Sequence, residues 1–135
     1  MIHHDVLIVG SGVMGVALAS SINSDELSVG IIESNPKPSL SRRHLSINKK
    51  SLNFLKDLEV WKEIEPNAYP YQKIKVWDQE GSGYIEFDSQ EADIDLLGHI
   101  VSEGQIQKSL IEKLETKKVN FYWNNELLDI RKNTS

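Results

Sequence analysis

An α/β fold with a β-α-β start is predicted from three observations. Residues Asp5 to Val9 form an apolar, β-branched and leucine-rich run that ends at a glycine. Gly10, Gly12 and Gly15 follow at once, ahead of a stretch with helical spacing. Val29 to Ile32 is a second apolar run, closed by the acidic Glu33.

The elements follow in order. Asp5 to Val9 reads as a short buried strand. Val13 to Ile22 reads as a helix, with Val16, Ala19 and Ile22 near helical spacing. "NSDEL" is a polar turn, and Val29 to Ile32 is the second strand. "NPKPSLS", from Asn35 to Ser41, carries two prolines and reads as a loop. Ser46 is the candidate cap of a helix running through Leu52, Leu55 and Leu58. "EPNAYP" breaks that pattern. "YQKIKVWDQEGSGYIEF" then alternates on both sides of "EGSG", with Ile74, Val76, Ile85 and Phe87 on one face. This predicts an antiparallel hairpin inserted at about residues 72–88. "EADIDLLGHIVSEG" leads into a helix from about Gln105 to Leu114, striped by Ile106, Leu110, Ile111 and Leu114. Val119 to Trp123 is a further strand, and "ELLDI" begins another. That last strand has no visible partner, and a parallel sheet needs both faces covered. The chain is therefore expected to be the N-terminal part of a longer protein, with 1–135 forming part of one domain.

The totals exclude several classes. The 135 residues suit one domain with a core and are too few for a two-domain enzyme of ordinary size. A 39% apolar and 26% charged composition is that of a soluble globular protein. The net charge of −5 argues against broad nucleic-acid binding, whose footprint is a basic surface. There are no cysteines, which removes disulfides, thiolate metal sites and cysteine nucleophiles. No apolar run approaches the roughly 20 residues that span a bilayer, and no basic n-region precedes the first strand. A cytoplasmic location is expected, compatible with peripheral contact with a membrane as part of something larger.

The glycines carry the first chemistry. Gly10, Gly12 and Gly15 fit G-x-G-x-x-G between a strand and a helix. In that setting Gly10 allows a tight turn, Gly12 lets a pyrophosphate approach the backbone, and Gly15 lets helix and strand pack closely. The helix N-terminus adds N–H groups and partial positive charge for a diphosphate. Glu33 stands at the end of the second strand, at about the 20-residue distance the motif asks for. There it can accept hydrogen bonds from both ribose hydroxyls of an adenosine, and it would repel a 2′-phosphate. Ser11 lies inside the loop and is expected near phosphate as a small residue. "GSG" is not the nucleophile elbow. The alternative is a set of glycines that merely makes a tight turn, with Glu33 solvated. The motif reads ADP, so it does not separate FAD from NAD. It predicts a Rossmann-like FAD/NAD(P)-binding fold.

The order of further segments resembles the FAD-dependent aromatic hydroxylases of ubiquinone biosynthesis. These are a branch of the flavoprotein monooxygenases typified by para-hydroxybenzoate hydroxylase. The likeness is carried by "DVLIVGSGVMGVALA", "IIES", "RRHLSINKKSLNFLKDLEVW", "YQKIKVWDQEGSGYIEFD" and "LLGHIVSEGQIQKSLIEKL". It implies non-covalent FAD, reduction by NAD(P)H, and transfer of one oxygen atom from O2 to an electron-rich ring, here a polyprenylated phenol. It also implies an arginine after the second strand, near the flavin's phosphates and ribose. Arg42 and Arg43 are both candidates, and a solvated basic loop is the alternative. An amide near the flavin's ribose side is implied at Glu103, or at Gln105 in a shifted register. Either is otherwise a helix-start residue.

Two departures stand out. The family's Leu-Gly is Leu58-Glu59 here, which removes the glycine expected after a helix end. The family's "E-N-R" is Ser102-Glu103-Gly104, without the arginine. The second flavin motif, the substrate domain and the C-terminal helices of the family lie beyond this length. The chain is thus expected to carry the ADP half of a flavin site, and no catalytic residue is assigned.

Other groups suggest no further chemistry. His3 and His4 read as a solvated terminus, and His44 and His99 as isolated residues, with His99 in packing. Trp61, Trp77 and Trp123 read as core or edge aromatics. Glu91, Asp93 and Asp95 lack EF-hand spacing and form no metal site. "KLETKK" reads as a solvated helix end. Two rival functions remain: an NAD-dependent oxidoreductase domain, and a non-catalytic fragment that binds only an ADP-containing ligand.

Overall fold

The computed structural model describes residues 1–133; Thr134 and Ser135, which close the expected 1–135 span, lie outside the described residues. The chain forms two compact units, one of Met1–Arg42 with the stretch from Glu103 onward, the other of Arg43–Ser102.

The first unit contains strand β1 (Val6–Val9), helix α1 (Val13–Ser21) and strand β2 (Val29–Glu33). The β-α-β start predicted from the sequence is present with these bounds. In the second unit come β3 (His44–Ile47), α2 (Lys49–Asp57), the short α3 (Trp61–Ile64) and a 3-10 turn over Glu65–Asn67. Strands β4 (Tyr69–Tyr71), β5 (Lys73–Trp77), β6 (Tyr84–Asp88) and β7 (Gly98–Ser102) complete it. The chain then returns to the first unit as α4 (Glu103–Glu115) and β8 (Val119–Trp123).

The first unit is built on a parallel sheet in the order β1-β2-β8, with Ile8 opposite Ile31 and Ile31 opposite Phe121. Ile8, Val29 and Ile31 share one face and are buried. Helices α1 and α4 pack together, and Val16, Ala19, Leu110 and Leu114 on them are fully buried. On the other sheet face Leu7 and Val9 remain about half exposed. His4 is not a solvated terminal residue. Its ring lies edge-on to Tyr122 and is hydrogen-bonded to Tyr122 Oη (2.7 Å) and Ser28 Oγ (2.8 Å). Gly30 leaves room for that ring, which a Cβ would press upon at 2.7 Å. Residues 126–130, expected to begin a strand, form none.

The second unit holds an antiparallel sheet in the order β3-β7-β4 that local periodicity does not announce. "LLGHIV" is therefore mostly strand, and the segment runs from it directly into α4. Ser46 does not cap α2. It sits in β3 and its hydroxyl pairs with Tyr71 Oη, while Asn48 caps the helix by accepting from Ser51 N–H at 2.9 Å. The predicted hairpin forms from β5 and β6, with Ile74 opposite Phe87 and Val76 opposite Ile85. Trp61 is buried and packs edge-on against His99, whereas Trp77 is 69% exposed.

Helix α2 ends in a Schellman turn made without glycine. Glu59 N–H donates to Lys56 O, and Val60 N–H to Leu55 O. Glu59 takes φ of 60°, the left-handed region that glycine favours. Leu55 and Val60, the positions where this motif has its apolar contact, are both buried. The geometry expected from Leu-Gly thus survives the departure to Leu58-Glu59.

No helix among the described residues is long and apolar enough to cross a membrane.

Candidate functional site

The glycine loop joins β1 to α1. Gly10 has φ of 100° and donates its N–H to Ile32 O at 2.8 Å, which continues the ladder between β1 and β2 into the turn. A Cβ on Gly15 would collide with the Gly10 carbonyl oxygen, so α1 sits as close to the loop as its backbone permits. A Cβ on Gly12 would meet nothing within 4 Å. Gly12 is also the N-cap of α1, and neither a capping side chain nor a first-turn acid covers that end. The first-turn N–H groups and their partial positive charge therefore face a space without side-chain competition.

Glu33 lies beside this loop and is only 9% exposed. Its Oε2 accepts from Ser11 N–H (2.9 Å) and from the Ser11 hydroxyl (2.8 Å). Its Oε1 accepts from Asn35 N–H and Asn35 Nδ2–H, both at 2.9 Å, and from the Ser34 hydroxyl at 3.3 Å. Bonds from the backbone N–H groups of Asn35 and Ser11 are the main reason its pKa is lowered to about 2. The carboxylate is thus ionised at neutral pH and holds the loop in place. Ser11, expected near phosphate as a small residue of the loop, is buried and gives its hydroxyl to Glu33. The stretch after β2 is pinned by the end of β8, where Asn124 N–H donates to Asn35 O and Asn125 N–H to Glu33 O.

Helix α4 brings the buried Glu103 and Gln107 to the 40–41 segment. Glu103 accepts from the Ser41 hydroxyl. Gln107, 4% exposed, donates through Nε2 to Ser11 O at 2.9 Å, and its Oε1 lies 3.4 Å from Ser41 N–H. Gly104 occupies the position where the resemblance led to the expectation of an arginine, and a Cβ there would collide with Ser41 O. The 40–41 segment lies directly against the first turn of α4, so glycine follows from that close approach. Gln105 donates to Ser109 Oγ within the helix at 3.3 Å. Arg42 is exposed and belongs to the same unit as the loop, while Arg43 belongs to the other.

Gly10, Gly12, Gly15, Ser11 and Glu33 are therefore brought together, and Glu103 lies with Ser41 in the same unit. Sequence reasoning missed Gln107 and Asn35. Gln107 was signalled by its spacing, since it falls on the buried stripe with Leu110, Ile111 and Leu114 and is polar. Asn35 gave no such signal, because its partner Glu33 is two residues away around a turn. Among the described residues no group of three or more His, Asp or Glu side chains could hold a metal ion.

An uncapped helix end, open space at Gly12 and an ionised carboxylate nearby fit a dinucleotide carrying a diphosphate and a ribose. The fold and the loop together define an α/β dinucleotide-binding protein. The chain matches the FAD binding domain family over residues 3–135 and belongs to that family. FAD is accordingly the cofactor of its class, which decides between FAD and NAD where the glycine motif does not. The chain is 30% identical over 118 residues to 3-demethoxyubiquinol 3-hydroxylase of Escherichia coli (strain K12), covering 82% of this chain and 30% of that protein. It is 26% identical to the mitochondrial ubiquinone biosynthesis monooxygenase COQ6 of Dictyostelium discoideum, covering 83% and 27%. The chain therefore spans less than a third of the length of these relatives. Among solved structures, p-nitrophenol 4-monooxygenase PnpA from Pseudomonas putida DLL-E4 superposes with a TM-score of 0.77 at 19% identity. That match covers 95% of this chain and 33% of that one, and it shows the fold.

Proposed function

We propose that this chain holds the ADP half of FAD, and that the protein it represents hydroxylates an aromatic ring with oxygen and NAD(P)H. The observation that carries this reading is the open, uncapped start of α1 at Gly12, beside a carboxylate already ionised and fixed. The diphosphate lies against the backbone of Gly10, Ser11 and Gly12 and the first turn of α1. Glu33 divides its work. Oε2 stays with Ser11 and keeps the loop in shape. At Oε1 the ribose hydroxyls replace the Asn35 side chain and the Ser34 hydroxyl, which are displaceable, while Asn35 N–H stays. The same negative charge disfavours a 2′-phosphate at this position. Arg42 is the candidate to approach the diphosphate from the loop before the second unit, with Arg43 as its neighbour. Glu103 and Gln105 at the start of α4 lie toward the flavin's ribose side.

FAD supplies, when bound, the redox chemistry that moves one oxygen atom from O2 to the ring. The residues here bind and orient it, and none is assigned a catalytic role. The names of two relatives, a 3-demethoxyubiquinol 3-hydroxylase and a ubiquinone biosynthesis monooxygenase, support a quinone precursor as the substrate, and its polyprenyl chain and its meeting with the enzyme at a membrane surface or in a biosynthetic complex belong to the proposal alone. The remaining length of those relatives is the proposed place of the substrate domain. Calorimetric titration of the folded chain with FAD and, separately, NADH tests the reading. Binding of FAD in preference to NADH is expected. Preference for NADH, or no binding of FAD by the folded chain, would refute it.

A further inference from the structure

We infer that Gln107 is a positioning residue for the glycine loop: it sets the orientation of the Ser11–Gly12 peptide and ties that peptide to the segment leading to Arg42. The inference deepens the FAD-binding reading and rests on it for the ligand concerned. In a trans peptide the carbonyl and the following N–H point in opposite directions. Gln107 Nε2 draws the Ser11 carbonyl into the buried interior at 2.9 Å. The N–H of Gly12 must then point away from Gln107, on the side where no side chain caps α1. A reversed peptide would present a carbonyl oxygen to a diphosphate, which repels it.

Gln107 does this while leaving neither end of its amide idle. Its Oε1 is aimed at Ser41 N–H at 3.4 Å, and Ser41 also binds Glu103 through its hydroxyl. With Glu33 holding Ser11 N–H from the other side, the peptides on both sides of Ser11 are fixed. Two charged or amide side chains from different elements thus fix one residue of the loop. A buried amide is costly unless both its donor and its acceptor are used. Leucine or methionine would fill the same stripe position with no such cost, so packing alone does not explain glutamine here.

The test uses the ligand-free chain first. In the wild-type protein the Gln107 side-chain amide protons should exchange slowly with solvent, and rapid exchange would overturn the inference. Gln107→Met keeps the volume and loses both hydrogen bonds. It should move the Gly12 amide nitrogen resonance and deprotect Ser41 N–H, while amides of β8 stay put. Gln107→Glu keeps an acceptor for Ser41 and loses the donor to Ser11. It should move Gly12 while leaving Ser41 protected. Unchanged Gly12 resonances in both variants would overturn the inference, because a role in packing alone predicts that result. Titration with FAD gives the second readout. Gln107→Met should weaken FAD about ten-fold, as expected for the loss of a positioned hydrogen bond. Equal affinity in variant and wild type would overturn the inference. A wild-type chain that binds no FAD would refute the proposed function instead, and the ligand-free resonances would still decide the role of Gln107.

Discussion

Ile31 and Ile85 both stand in five-residue strands of apolar and polar mixture, yet they meet opposite fates. Ile31 in β2 is fully buried beneath the helices of its unit, and Ile85 in β6 is 60% exposed. The β5–β6 hairpin has a clean two-faced pattern. One face pairs Lys73 with Asp88 (2.8 Å) and Lys75 with Glu86 (3.2 Å). The other carries Ile74, Val76, Ile85 and Phe87, all exposed. Alternation along a strand states which residues share a face. It does not state what covers that face. In the β1-β2-β8 sheet the cover is local, because the connection between β1 and β2 is itself the helix that packs on them.

The difference is sharpest in a pair of substitutions. Ile31→Ala should cost about 3 kcal/mol, because it opens a cavity in a closed core. Urea unfolding followed by circular dichroism would measure it. A loss as small as that of a surface change would mean the parallel sheet is not the core described here.

Next in size is the carboxylate that fixes the glycine loop. Glu33 has its folded pKa lowered from 4.5 to about 2, so its contribution is present above the unfolded value and is lost as pH falls from about 4.5 toward 2. Glu33→Gln sets an amide NH2 against donors from Ser11 or Asn35. It should cost about 2–3 kcal/mol at neutral pH. The gap between variant and wild type should close as the pH reaches 2. Unfolding curves over a pH series check both the size and the direction.

Much of the first unit was legible for the same reason that it is well covered. The strand, the glycines, the helix and Glu33 are contiguous, and each signal agrees with the next. Gly10 and Gly15 could be assigned a turn and a close approach from spacing alone, and the structure has both. The second unit was less legible. β3 and β4 are short, and they pair with β7 from far along the chain, His44 with Ser102 and Tyr69 with Ile100. No local period carries such a pairing. Ser46 looked like a cap because serine suits that position, but Asn48 suits it as well and lies next to the helix. In the candidate site Asn35 and Gln107 were missed, the latter a polar side chain hidden in an apolar stripe. Its use depends on a carbonyl from a loop at the other end of the sequence.

Two smaller effects test the second unit. Glu59→Gly should stabilise the protein by about 0.5–1 kcal/mol, because glycine relieves the left-handed backbone at the end of α2. A destabilised variant would show that Glu59 contributes more through its side chain than its backbone costs. Ile85→Ala should change stability by less than about 0.5 kcal/mol in the same urea assay used for Ile31. A cost approaching that of Ile31→Ala would erase the contrast between a covered sheet and an open hairpin.

In the function proposed for it, the first unit holds the adenosine diphosphate half of FAD. The most direct measurement is a set of calorimetric titrations of the chain with FAD, ADP and FMN. ADP is expected to bind within about ten-fold of FAD, and FMN is expected not to bind. FMN binding as tightly as FAD, with ADP failing to bind, would contradict that function.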